Sequence, residues 1–222
     1  MLLFLLVGCG ADEPDCPEGT VRVEGRVMSF GEVEPSEAWH RPAQERRVET
    51  FCIDRFEYPN REGELPRADV SWSEAERLCR ERGQRLCSSA EWELACEGES
   101  GRRYSYGSRR DVERCNTPIA GGGPVDGVPP VRPAGAFSGC STPEGVRDLN
   151  GSLAEWVADP WTGPPEDFNQ GAEVDPGTWR TLRGGTMWDR TFYGQDCTSR
   201  HGHVGGFANN DDGFRCCADP GR

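Results

Sequence analysis

The sequence predicts an α+β domain that is loop-rich and disulfide-stapled, and three observations carry that reading. Only 35% of the 222 residues are hydrophobic, against 29 Gly and 17 Pro, a composition that builds a modest core and much irregular backbone. Eleven Cys are far more than a reducing compartment usually sees, so an oxidising compartment and a disulfide framework are expected. Two helix-start signals stand close together in the first half, and beyond them Gly, Pro, Asn and Asp interrupt the chain so often that only short strands fit.

The elements follow in order. Residues 1–8 (MLLFLLVG) are an apolar run too short for a bilayer, which needs about 20 residues, and they suit a signal-peptide core. Residues 9–49 read as an acidic tether in which the alternation from Val21 to Val27 predicts one strand, with the main domain at 50–222. Ser71-Trp72-Ser73-Glu74 is a capping-box pattern, followed by Ala75, Leu78 and Cys79 at helical spacing and by Gly83 as a stop. Ser88-Ser89-Ala90-Glu91 opens a second helix that carries Trp92, Ala95 and Cys96 on one face and ends near Gly98. No repeat of 20–50 residues is visible, which sets solenoids and propellers aside.

The charge narrows the function. A net charge of −13 offers no electrostatic footprint for a phosphate backbone, so nucleic acid is an unsuitable partner. All 25 basic residues are Arg; without Lys there is neither a Schiff base nor a P-loop lysine. No C-x-x-C pair exists and only His40, His201 and His203 offer imidazoles, which argues against structural zinc.

Two resemblances add to this. Leu6-Val7-Gly8-Cys9 resembles the lipobox of bacterial lipoproteins, which implies cleavage before Cys9 and a lipid on its sulfur. Farther along, Val70-Ser71-Trp72-Ser73-Glu74-Ala75, Gly83-Gln84-Arg85-Leu86, Ala90-Glu91-Trp92-Glu93, Tyr104-Ser105-Tyr106-Gly107, Asn150-Gly151-Ser152-Leu153-Ala154-Glu155-Trp156, Arg183-Gly184-Gly185-Thr186 and Gly213-Phe214-Arg215-Cys216 stand in that order. Together they resemble the formylglycine-generating enzyme (sulfatase-modifying factor) family from about Cys52 to Cys217. The resemblance implies that family's fold, related to C-type lectins.

It also implies that Cys79 pairs with Cys216 or Cys217 and that Cys96 pairs with Cys197. Cys52–Cys87 and Cys115–Cys140 complete the expected set, leaving Cys16 for the free member of the tandem pair.

The family oxidises a substrate cysteine with O₂ at copper(I) held by two thiolates, soft ligands that select that ion. The alignment places Asp189 and Gly194 at the two copper positions. A carboxylate is a hard ligand and Gly has none, so copper is not expected. Thr186 and Arg200 match other positions of the family pocket. Asn150, Gly151, Leu153 and Glu155 match its calcium loop, and hard oxygens in a compact turn suit calcium. A second calcium site near Asn116 stays open, because residues 121–124 interrupt the alignment. His201 and His203, with Asp211 and Asp212 nearby, read as exposed loop rather than a metal cluster.

The expected protein is therefore a lipoprotein of the bacterial cell envelope, periplasmic or cell-surface. It would be held to the membrane through Cys9 and act as a non-catalytic, calcium-stabilised module for a protein, peptide or glycan ligand. Two rivals are an enzyme of the family, formylglycine-generating or using another metal at Asp189, His201 and His203, and a structural envelope protein.

Overall fold

The computed structural model describes residues 15–31, 43–117, 131–162, 178–187 and 195–221. They form ten strands and two helices, in the order β1 (Thr20–Val23), β2 (Arg26–Phe30), β3 (Gln44–Val48), β4 (Phe51–Asp54), α1 (Trp72–Glu81), β5 (Arg85–Leu86), α2 (Ser89–Glu97), β6 (Ala154–Pro160), β7 (Trp179–Arg183), β8 (Arg200–Val204), β9 (Asp212–Phe214) and β10 (Cys216–Ala218). One sheet runs β1-β4-β10-β5, a second runs β8-β7-β6-β9, and β2 pairs with β3 as a hairpin. Nearly all pairings are antiparallel. The exception is β6 with β9, where Glu155 lies opposite Gly213.

Residues 15–31 and 43–49 are part of the domain, which departs from the reading of residues 9–49 as a tether. β1 pairs with β4 over four positions, Thr20↔Asp54 to Val23↔Phe51. The single expected strand is two, β1 and β2, broken at Gly25. A Cβ on Gly25 would stand 2.4 Å from the backbone of Glu49 and Thr50, so only glycine lets the chain cross there. Val21, Val23, Met28, Phe30 and Val48 then join Phe51, Ile53, Trp92 and Leu94 in one buried cluster. Burying those side chains supplies the apolar contribution that a 35% hydrophobic chain must concentrate in few places.

Both helices start where the capping signals stand. At α2 the box is complete: Ser88 Oγ accepts from the Glu91 amide and Glu91 accepts from the Ser88 amide at 2.7 Å. At α1 it is half formed. Ser71 Oγ accepts from the Glu74 amide, but the Glu74 carboxylate turns to Arg67, 2.6 Å away. Every residue of α2 from Ser89 to Cys96 is buried, not one face alone, because the helix lies between the β2–β3 hairpin and the β6–β7 sheet.

Five disulfides lock these layers: Cys16–Cys52, Cys79–Cys216, Cys87–Cys217, Cys96–Cys197 and Cys115–Cys140. Cys52–Cys87 is corrected, and so is the placing of Cys16 with a tandem cysteine. The reason is register. Cys52 lies opposite Arg22 of β1, beside the entering chain that carries Cys16, whereas Cys217 lies opposite Arg85, two residues from Cys87.

Candidate functional site

The sheet that ends in the Gly-Gly turn holds the residues singled out in the sequence. Gly184, at φ +90°, brings its backbone against the loop at Asn150: the Gly151 amide donates to Gly184 O at 2.8 Å, and a Cβ on Gly184 would meet Leu149 O at 2.8 Å. Thr186 follows, buried, with its carbonyl accepting from Gln195 Nε2 at 3.4 Å. Arg200 opens β8, opposite Arg183. Its guanidinium lies 4.7 Å from the Trp161 ring centroid and donates to Thr162 Oγ1 at 3.2 Å. Arg200 is therefore seated on an aromatic face and a hydroxyl. Asp189 and Gly194, at the copper positions, lie outside the described residues, as does Cys9.

The calcium loop does not fit calcium. Glu155 Oε1 accepts from Arg215 Nη2 at 2.7 Å, and Oε2 accepts from Arg215 Nε at 2.7 Å and from Trp92 Nε1 at 2.8 Å. Asn150 Oδ1 accepts from the Ser105 amide at 2.8 Å, while Nδ2 donates to Gln195 O at 2.7 Å. The two side-chain oxygens expected to ligand the ion are engaged by protein donors, and the guanidinium already supplies the positive charge. Calcium as a cofactor, with Asn150, Gly151, Leu153 and Glu155 as its ligands, is an expectation from the family resemblance that these side-chain contacts do not favour.

Around Arg215 stands a buried network that the sequence did not disclose. Glu57, Asp148 and Glu155 are all buried near it. Burial first, then the charges of Glu155 and Asp148, hold the Glu57 carboxyl well above its usual range; burial likewise raises Asp148. Burial opposes the charge on Arg215, and Glu155 outweighs it, keeping the guanidinium above its ordinary value. A second pair, Arg183 with Glu93, is fully buried; Glu93 also accepts from the Gly31 amide at 2.6 Å. One turn along α2, burial and the charge of Glu93 push Glu97 up to about 8. Arg183 and Arg215 both lie in motifs quoted above, but nothing in local spacing distinguishes a buried arginine from an exposed one.

The histidines lie half-buried on β8 rather than in an exposed loop, and each meets a partner. His203 Nδ1 lies 3.1 Å from Asp212 Oδ2, and its ring packs 5.0 Å from that of His201. Burial and the charge of His203 bring His201 down to about 3, so it is neutral at physiological pH. Among the described residues, no group of three or more His, Cys, Asp and Glu is placed to hold a metal.

Comparison with known proteins accords with the ordered motifs. The chain belongs to the sulfatase-modifying factor enzyme 1-like domain family, whose model matches residues 59–220. A mouse protein named inactive C-alpha-formylglycine-generating enzyme 2 is 32% identical over 169 residues, 72% of this chain and 51% of its own length. A formylglycine-generating enzyme of Thermomonospora curvata is 31% identical over 176 residues, 70% of this chain and 56% of its own. The chain thus spans about half the length of these curated relatives. Among solved structures, PvdO from Pseudomonas aeruginosa superposes with a TM-score of 0.68 at 18% identity, covering 90% of this chain and 94% of that one. CarF superposes at 0.61, also at 18% identity, covering 90% and 97%.

Proposed function

We propose that this protein is a non-catalytic binding module, held at a bacterial envelope membrane through a lipid on Cys9. The supporting observation is the fate of the cysteines. Five disulfides engage ten of the eleven, leaving Cys9. Copper(I) chemistry of the kind the family resemblance implies needs two thiolates, and none remains between Gly185 and Cys197. The curated relatives include one whose name marks it inactive. They also include formylglycine-generating enzymes, and from these comes the rival reading, oxidation of a sulfatase cysteine.

One experiment separates the two. The detergent-solubilised full chain, loaded with copper(I) under mild reduction, is expected to retain no stoichiometric copper and to form no formylglycine on a cysteine-containing sulfatase peptide, read by mass spectrometry. Stoichiometric copper together with the aldehyde product would overturn the module. The anchor is tested separately: Cys9→Ala is expected to move the protein from the membrane fraction to the soluble fraction, and unchanged fractionation would refute lipidation.

A further inference from the structure

Residues 101–117 carry five arginines against two carboxylates, Asp111 and Glu113, in a chain whose net charge is −13. This segment belongs to no helix and no strand, yet it is held at both ends. The Cys197 amide donates to Arg103 O at 2.8 Å and the Ser105 amide to Asn150 Oδ1. At the far end Cys115 is bonded to Cys140, and the Ser152 amide donates to Asn116 O at 2.9 Å. Between these anchors Tyr104 and Tyr106 stack 5.3 Å apart with their planes 8° from parallel. The result is a groove of about 680 Å³, whose walls include Tyr106, Arg109, Arg110, Val112 and Arg114.

The walls are set before any ligand arrives. Tyr106 Oη accepts from the Asp111 amide at 3.3 Å, and Asp111 Oδ2 accepts from Arg114 Nε at 3.0 Å. The Arg114 stem lies against Gly139, where a Cβ would come within 2.8 Å of its Cδ. Arg109 is exposed and makes no ion pair among the described residues. A groove with clustered guanidiniums favours a planar anion, which arginine meets with two parallel hydrogen bonds.

We propose that this groove binds a short oligosaccharide bearing carboxylate or sulfate groups. The proposal rests on the binding-module reading and names its ligand class. The volume is that of a small-ligand cleft, which spans roughly 300–1,000 Å³. A long polyanion would run onto the acidic remainder of the surface, whereas a short one is screened from it beyond about 8 Å at physiological salt. A peptide fits less well. The segment offers no strand edge to extend, and Val112 is its one aliphatic wall among the described residues. A pyranose, in contrast, can lay its C–H face on Tyr106 while its anionic groups meet Arg109 and Arg110.

The test is calorimetric titration of the full chain with four probes: a galacturonate tetrasaccharide, a sulfated tetrasaccharide, neutral chitotetraose and hexaglutamate. At least one anionic tetrasaccharide is expected to bind, with affinity falling as salt rises, and the two arms tell carboxylate from sulfate recognition. The double variant Arg109→Ser/Arg110→Ser should lose at least tenfold in affinity with an unchanged thermal midpoint. Absence of binding, equal binding of chitotetraose or hexaglutamate, or full affinity in the double variant would overturn the groove. Such a failure without turnover of the cysteine peptide removes the groove alone; turnover removes the module itself.

Discussion

Arg215→Met is expected to destabilise the protein by about 3–5 kcal/mol, the usual cost of removing one partner from a buried ion pair. Arg215 donates five hydrogen bonds within its network: to both oxygens of Glu155, and through Nη1 and Nη2 to the backbone carbonyls of Asp54, Arg55 and Arg147. Without it, Glu57, Asp148 and Glu155 share a dry interior with no guanidinium between them. The pH dependence has a definite sign. Burial, and then the neighbouring carboxylates, raise the folded-state pKa of Glu57, so its contribution is full below the unfolded value and is lost as pH rises through the folded one. With Arg215 gone that loss deepens, so the variant should be more impaired at pH 8 than at pH 5. Denaturant melts at both pH values, with disulfides intact, give the comparison. Adding Glu155→Gln should recover part of the stability, because it removes one orphaned charge. A penalty below about 1 kcal/mol, on the scale of an exposed pair, would show that these carboxylates are not charged and dry in the native state.

Loss of the Cys96–Cys197 bridge should also carry a large cost. The cysteines are 101 residues apart, and the chain-entropy model assigns such a bridge about 4.7 kcal/mol before any strain. Cys115–Cys140 closes a separation of only 25 and should contribute about 3.5 kcal/mol. Paired Ser variants of each, compared by thermal and denaturant unfolding, should therefore rank in that order. Equal penalties would indicate that contacts around the bridges, such as Asn150 beside Cys96, outweigh loop closure. The ranking bears on function as well, since the shorter bridge fixes the far end of the Tyr–Arg groove while the longer one joins α2 to the segment entering β8.

Much of the α+β reading was legible because its signals are local. Ser71 and Ser88 mark the two helix starts, and each hydroxyl accepts from the amide three residues on. The Gly-Gly turn at Gly184 and Gly185 was equally visible, as both take positive φ that glycine adopts without strain. The start of the domain was not legible. Val21 and Val23 alternate like any half-exposed strand, and only their pairing with β4 shows that they close the main sheet. Glu74 illustrates the same limit: its sequence spacing fits a capping box, yet Arg67 is within 2.6 Å and takes the carboxylate.

The cysteine count by itself pointed to a stapled protein, and the sequence alone shows no thiol between Gly185 and Cys197, because composition is independent of conformation. Tertiary structure decided which cysteines meet, since Cys52 and Cys217 choose partners by strand register. It also decided the chemistry of the Asn150–Glu155 loop. The motif offers oxygens in a calcium-like order, but a guanidinium from a residue 60 positions away reaches Glu155 first. Long-range electrostatics of that kind leaves no trace in local sequence, because an arginine's burial depends on which strands fold over it.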